Sequence, residues 1–467
     1  DNEGIVKLTN FKRLSARVNT SYNFFEGKLK IGENFTFNKT NELVDPGVLD
    51  PALRALPIIP VHTVDGIGWG GPVGGMNDRQ NPVRLLEYNK DNGYEYERFF
   101  GNIFAELQLV KNLTLKSSFG IDFSNYYKRM LQRSYVSGYL QNNKNAVNID
   151  QSDTEKWTWT NTAQYTAKAG NHHFDLLGGM EMYQDTYNNT WLRKEGFLIE
   201  DPDYMYPDAG TGDAFNGGSS TYYSLLSYFG KLSYDYDNRY MFEVNAGYNG
   251  SENFAKGHKW GFFPSVSAAW RISQESFMES TSDWLSNLKI RASYGTTGND
   301  MDLSKDPIDK VDAFSYLQKY QLGEKYIFGN NLANTIVAGA TPNYALTWAT
   351  STTYNGGLDF GFFNNRLSFI LDYYNRKTKD LLTDLALPGY TGFDKIATNL
   401  GTLRNSGFEA EVRANIINKG GFTWDMTANL STVANKIIKL PDNKEVNNRV
   451  GGAQVWDPNK GELVWVG

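Results

Sequence analysis

The sequence contains no cysteine, only four histidines and no apolar run as long as a transmembrane helix needs. Without cysteine there is no disulfide framework, no thiolate metal site and no cysteine nucleophile. A membrane-spanning helix takes about 20 apolar residues, and no stretch reaches that length. A basic surplus is missing too: 46 Lys and Arg stand against 52 Asp and Glu, for a net charge of −6. That balance, with no basic run, argues against a nucleic-acid partner. The histidines are His62, His172, His173 and His258. His172 and His173 fall at an expected turn, where neighbouring strand residues point to opposite faces and make a poor metal pair. No H-E-x-x-H, G-x-S-x-G or P-loop pattern occurs, so no catalytic constellation can be assembled and none is expected. The mean hydropathy of −0.51 does not exclude a membrane, because alternating lipid-facing and inward-facing residues average to a polar value.

What the chain does have is aromatic residues, at 15%, and 45 glycines in 467 residues. Aromatics favour strands and gather where a barrel meets the membrane interfaces. Their spacing is period two. Tyr240, Phe242, Val244, Ala246 and Tyr248 alternate with Met241, Glu243, Asn245 and Gly247, after an Asp237-Asn238 turn that follows Leu232, Tyr234 and Tyr236. The same plan runs from Tyr354 to Tyr374 about an Asn364-Asn365 turn, and from Gly407 to Leu430 about Lys419-Gly420-Gly421. A polar second face at period two marks a half-buried strand. Four more pairs follow, at 13–24 with 28–38, 100–109 with 113–124, 156–167 with 173–184, and 262–273 with 287–297. In the first pair Glu33 interrupts the apolar positions Leu29, Ile31 and Phe35, which suggests a bulge or a slipped register there. Gln274–Leu285 reads as one short helix.

Seven hairpins (about 13–38, 100–124, 156–184, 224–250, 262–297, 353–376 and 403–432) give about fourteen strands. Connections within pairs are short, except 273–285; those between pairs are mostly long, at 39–99, 125–155, 185–223, 298–352 and 377–402, and only 251–261 is brief. Short turns on one side and long loops on the other are expected of an all-β, antiparallel, up-and-down transmembrane barrel with extracellular loops. The loops hold the candidate ligand contacts: Trp69, Tyr94, Tyr96, Tyr204, Tyr206 and Tyr326, whose rings could stack on sugars or pack on peptide side chains. Two acidic clusters, Asp201, Asp203, Asp208 and Asp213, and Asp300, Asp302, Asp306 and Asp309, are calcium candidates by composition, although neither has EF-hand spacing. The first set is carried forward, against the simpler reading of solvated acidic loops. Gly66-Ile67-Gly68-Trp69-Gly70-Gly71 fits a dinucleotide pattern, but Pro72 and Val73 follow in place of a helix that could hold a pyrophosphate. An external loop is the reading preferred. No cofactor is expected.

Several stretches resemble one family. Lys259–Ser273 (KWGFFPSVSAAWRIS), Trp284–Asn299 (WLSNLKIRASYGTTGN), Tyr228–Tyr234, Asn355–Phe360, Asp372–Tyr374, Asn399–Gly401 and Asn405–Glu409 are similar to the SusC/RagA family of TonB-dependent outer-membrane transporters. The family often has glycine where Ala269 stands and glutamate where Ala349 stands. The resemblance implies a 22-stranded barrel in the outer membrane of a Gram-negative bacterium, with an N-terminal plug. It also implies a SusD-like surface lipoprotein, and the TonB–ExbB–ExbD complex acting through the plug to import oligosaccharides or oligopeptides. On that reading neither the plug nor a TonB box lies in these residues, and closing strands are expected after Gly467. A passive porin-like channel of about fourteen strands, or a secreted β-rich glycan-binding protein, remain the alternatives. Loops 39–99 and 298–352 are the natural partner contacts by length.

Overall fold

The computed structural model describes residues 2–302, 309–310, 314–439, 453–457 and 462–466. Asp306 and Gly467, and the side chains of Asp302 and Asp309, lie outside what is described. Fourteen strands of ten or more residues form the main ladder, joined antiparallel to their chain neighbours. They are β1 (Asn10–Phe24), β2 (Leu29–Leu43), β3 (Tyr94–Val110), β4 (Leu113–Gln132), β5 (Ala146–Ala169), β6 (His172–Glu195) and β7 (Ala214–Tyr236), followed by β8 (Tyr240–Ser251), β9 (Trp260–Arg271), β10 (Leu285–Asn299), β11 (Ala349–Phe362), β12 (Leu367–Lys379), β13 (Thr402–Lys419) and β14 (Phe422–Ser431). Two compact units divide the chain, one of residues 1–163 and 180–225, the other of residues 164–179 and 226–467.

In the first unit the register sorts side chains by chemistry. Tyr22 pairs with Ile31, Val18 with Phe35, Ile31 with Ala105, and Ile103 with Phe119. That face is apolar, and Val18, Tyr22, Ile31, Ile103 and Phe119 are exposed on it, as side chains are where lipid is the solvent. The opposite face is a hydrogen-bonded polar surface. Asn34 donates to Asn102, which donates to Ser118, and Arg98 grips Asp122 through Nε at 2.7 Å.

Glu33 corrects the expectation of a slip. The β1–β2 ladder runs without a bulge from Asn10↔Leu43 to Phe24↔Leu29, and Thr20 stands opposite Glu33. The carboxylate therefore sits on the apolar face, with the Thr20 hydroxyl donating to it.

The second unit repeats the sorting. Tyr248 stacks on Trp260 at 4.7 Å between ring centroids, and Tyr240 on Trp270 at 6.4 Å. These two rows bound an apolar belt containing Val244, Val266, Leu358 and Leu371. Tyr240 and Tyr248 are eight residues apart, about 27 Å along a strand. At a tilt of about 40° that is about 20 Å of depth, close to the belt of a membrane barrel. The Asp237-Asn238 turn has both residues left-handed, with φ of 55° and 54°. This is the conformation whose twist matches a two-residue hairpin.

Strands overrun the segments expected as loops. β2 continues to Leu43, β3 begins at Tyr94, and β4, β5 and β6 extend through most of 125–155 and to Glu195. Beyond the belt both faces of a strand meet water, so no fixed apolar parity is required while the backbone ladder goes on: Glu95 and Glu97 pair with Lys39 on the face that is apolar in the belt. Tyr94 and Tyr96 are thus strand residues, not loop residues. Short separate hairpins also occupy the connections: Tyr135–Ser137 with Leu140–Asn142, Lys319–Phe328 with Asn331–Ala340, and Leu382–Ala386 with Lys395–Asn399. The expected helix at 274–285 is instead two 3-10 turns, Ile272–Gln274 and Ser276–Thr281. There Glu275 accepts hydrogen bonds from Tyr240 Oη at 2.6 Å and Trp270 Nε1 at 2.9 Å. The Tyr240 bond, then the Trp270 bond, holds its carboxyl below the usual carboxylate range.

Candidate functional site

The connection between β2 and β3 folds into a lobe of its own. Helices α1 (Leu49–Arg54) and α2 (Pro82–Asn89) flank a glycine-rich segment. Asn81 organises it. Its Oδ1 accepts from the backbone of Val83 and Arg84, capping α2, and its Nδ2 donates to the carbonyls of Val61 and Gly70. Pro82 occupies the first turn, where a missing N–H costs nothing. Gly70 and Gly71 permit contact that no side chain allows. A Cβ would lie 1.7 Å from the Pro60 oxygen at one and 2.0 Å from the Ser137 carbonyl at the other. Gly70 and Gly71 of the 66–71 pattern therefore serve close backbone packing, while Gly66 supplies a left-handed turn residue with φ of 76°. Asp65 closes the turn before them, and its carboxyl is lowered by the Thr63 hydroxyl and then by the Ile67 N–H.

Guanidinium groups tie this lobe to the other connections of the same unit. Arg84 is 2% exposed and lies 3.5 Å from the centroid of the Tyr135 ring and 5.6 Å from that of Tyr88. Its Nη2 donates to Gln80 at 2.6 Å. Burial pulls its pKa below the ordinary arginine value, while the two tyrosines work the other way. Arg133 reaches Asp91 at 2.6 Å and donates to the carbonyls of Tyr88 and Glu200. Glu200 accepts from the Ser134 backbone at 2.9 Å and from Asn145 at 2.7 Å. Arg129 donates to the carbonyls of Pro202 and Met205 and lies over Tyr206 at 4.5 Å. Beneath them Leu131, Val147, Phe197 and Met205 form a buried apolar cluster. A cavity of about 200 Å³, lined largely by Leu56, Pro57, Ile59, Val61 and Pro82, opens beside the start of α2.

The sequence candidates disperse. Trp69 is a packing residue: its ring lies 4.6 Å from His62 and 5.8 Å from Tyr88, and Nε1 donates to the Tyr88 hydroxyl. Tyr94 and Tyr96 stand on the polar face of β3 opposite Lys128 and Tyr126, and the Tyr94 hydroxyl donates to Glu42. Tyr204 and Tyr206 are more than half exposed. Asp201 turns inward on its own segment to accept the Asp203 N–H, and Asp208 lies in the short turn Pro207–Ala209. Asp213 takes the Glu195 N–H on its backbone oxygen. Among the described residues no three acidic or histidine side chains converge to hold a metal. His172 and His173 diverge as adjacent strand residues should, one to Tyr234 and the other to Asp235.

In the second unit the polar face carries an ionic ladder that sequence reading missed. Arg291 on β10 reaches Asp359 on β11 at 2.8 Å and Asp372 on β12 at 2.9 Å, and Lys289 approaches Asp359 at 3.6 Å. Gly357 makes room: a Cβ there would meet Asp372 Oδ1 at 2.6 Å and Arg291 Nη2 at 2.7 Å. The available signal was parity, since Arg291, Asp359 and Asp372 each occupy the polar positions of their strands.

An antiparallel sheet with a belt bounded by aromatic rows on one face and ion-paired polar groups on the other is the wall of a transmembrane β-barrel. The comparisons with known proteins narrow the class. The model of the family "TonB dependent receptor-like, beta-barrel" matches residues 10–460, and the chain belongs to that family. It is 32% identical to the TonB-dependent receptor SusC of Bacteroides thetaiotaomicron, over 94% of this chain and 45% of that one. It is 30% identical to the TonB-dependent receptor P26 of Formosa agariphila, over 94% of this chain and 43% of that one. The chain thus spans a little under half the length of these relatives. The solved RagAB peptide importer superposes with a TM-score of 0.76 at 22% identity, covering 98% of this chain and 49% of that one.

Proposed function

We propose that this chain is wall and loops of an active importer of oligosaccharides or oligopeptides in the outer membrane of a Gram-negative bacterium. In the complete protein a plug closes the barrel, and TonB, with ExbB and ExbD, acts on that plug. A SusD-like lipoprotein works with the barrel at the surface. The observation that carries this reading is the polar face of the wall, where Arg291, Asp359 and Asp372 are held in place by one another. Fixed charges along a solvated wall suit passage of a polar solute, whereas an apolar lining would exclude it. The relatives named as TonB-dependent receptors support the energy source, and the fold shared with the solved RagAB peptide importer is in keeping with import. The candidate solute contacts are Tyr204, Tyr206 and Tyr326, which project from the connections, with Tyr94 and Tyr96 on the wall itself.

The test is uptake of labelled oligopeptides and oligosaccharides by cells carrying the full-length protein, with TonB present or deleted. Uptake of either class that stops without TonB is the expected result. Uptake that continues unchanged would make the barrel a passive channel.

A further inference from the structure

The lipid-facing side of the second unit ends in a row of cations that no described carboxylate neutralises. Register puts Leu358, Leu371, Tyr373 and Phe408 on that face. Further along, toward the long connections, Lys377 stands directly opposite Arg404, and Arg404 opposite Lys436 of the short strand Ala434–Lys439. Lys379 follows on the same face, opposite Thr402. Directly opposed side chains lie about 5 Å apart at Cβ, and like charges so placed destabilise a sheet. Strands β11 to β14 carry no Asp or Glu on this face: Asp359, Asp372, Glu409, Glu411 and Asp425 all fall on the other. Among the described residues none forms an ion pair with Lys377, Arg404 or Lys436. The first unit treats such a lysine differently. There Lys39, beyond the belt on the lipid-facing side, is held by Glu95 at 2.7 Å and Glu97 at 2.8 Å.

We propose that Lys377, Arg404 and Lys436 bind the phosphate of a lipid headgroup in the outer leaflet. The depth fits. Tyr373 and Phe408 are exposed aromatics at the edge of the belt, where the hydrocarbon meets the interface. Lys377 and Arg404 each lie four residues beyond them, about 13 Å along a strand. At a tilt of about 40° that is about 10 Å of depth, among the headgroups and above the hydrocarbon. The chemistry fits as well. The central guanidinium offers a planar fork to phosphate oxygens, and an ammonium on each side adds a point charge. A lipid also answers the whole face, because its chains run down over Leu371 and Val412 while its phosphate meets the cations. A free phosphate would use the cations alone, and an acidic protein segment would leave the belt beneath it bare. The assignment to the outer leaflet rests on the proposed importer's orientation, with the long connections outside.

The test titrates the full-length protein, in mild detergent and read by native mass spectrometry, with three probes: diphosphoryl lipid A, the same lipid stripped of both phosphates, and inorganic phosphate. Retention of the phosphorylated lipid alone is expected. The triple variant Lys377→Gln, Arg404→Gln, Lys436→Gln should bind it about tenfold more weakly or worse, with the barrel still folded by heat-modifiable migration on gels. The charge-keeping double variant Lys377→Arg, Lys436→Arg should retain it. So should Arg376→Gln, which removes a cation from the opposite face of β12, where Arg376 donates to Thr353. Equal binding of the stripped lipid, equal occupancy by inorganic phosphate, or an equal loss in Arg376→Gln overturns the proposal. Orientation is read separately from Tyr390→Cys, at a residue 90% exposed in the connection between β12 and β13. Its reaction in intact cells with a membrane-impermeant maleimide is expected. Protection there overturns the outer leaflet and the importer's orientation together, a failure distinct from loss of phosphate binding.

Discussion

Replacing Arg291 with methionine removes the cation that links three strands and leaves Asp359 and Asp372 facing each other. The two carboxylates are each 18% exposed and the guanidinium 29%, so the contacts are shielded but not dry. Each ion pair in such a setting contributes about 0.5–1 kcal/mol. Stranding the partly desolvated carboxylates costs about 1 kcal/mol more, against which Lys289, 3.6 Å from Asp359, recovers a fraction. The sum is about 2 kcal/mol of destabilisation. Guanidinium unfolding of the full-length protein in phospholipid bilayers, followed by tryptophan fluorescence, reads it as a lower midpoint at unchanged slope. The decisive companion is the triple variant Arg291→Met, Asp359→Asn, Asp372→Asn. Removing all three charges should restore more than half of the loss, because no uncompensated carboxylate remains. If Arg291→Met unfolds at the wild-type midpoint, or the triple variant is worse than the single one, the ladder is not holding the wall together.

Glu33 makes the opposite prediction. Glu33→Leu removes a carboxylate from the lipid-facing belt and should stabilise the barrel in bilayers by about 1 kcal/mol, while a loss of stability would show that a partner covers it. Asn81→Ala should loosen the lobe of residues 44–93 by about 1–2 kcal/mol through loss of the cap and of two carbonyl contacts; faster limited proteolysis there, with the barrel intact, is the readout. The Glu275 carboxyl is held below its ordinary value, so its contribution is present above that value and lost as the pH falls through the lowered one. Glu275→Gln should therefore unfold at the same temperature as the wild type under strong acid, well below about pH 4, and at a lower temperature near neutrality. A difference that persists unchanged into acid would reject the linkage.

Much of the wall was legible because strand alternation is a local property. Phe242, Val244 and Ala246 announce their face without reference to any other strand, and Asp237-Asn238 announces its turn. The belt, the polar face and the antiparallel class follow from that. What escaped had lost its alternation, had inverted it, or depended on distant partners. At Tyr94–Glu97 the alternation inverts its parity: the tyrosines fall on the polar face and Glu95 and Glu97 on the face that is apolar in the belt, so the segment reads as loop. The 319–340 hairpin is apolar on both faces, so period two cancels there. Arg84 gains its meaning only from Tyr88 and Tyr135, and Trp69 from His62 and Tyr88, contacts that no spacing rule supplies. Glu33 was visible as an exception; its continuous register was not.

The arginines of the first unit grip the neighbouring connection mainly by its carbonyl oxygens: Arg129 holds those of Pro202 and Met205, and Arg133 that of Glu200. A carbonyl is the same whichever side chain it belongs to. Pro202, Asp203 and Tyr204 can therefore change identity while the scaffold beneath them stays put. Such a surface can change its exposed chemistry by point substitution without first being rebuilt.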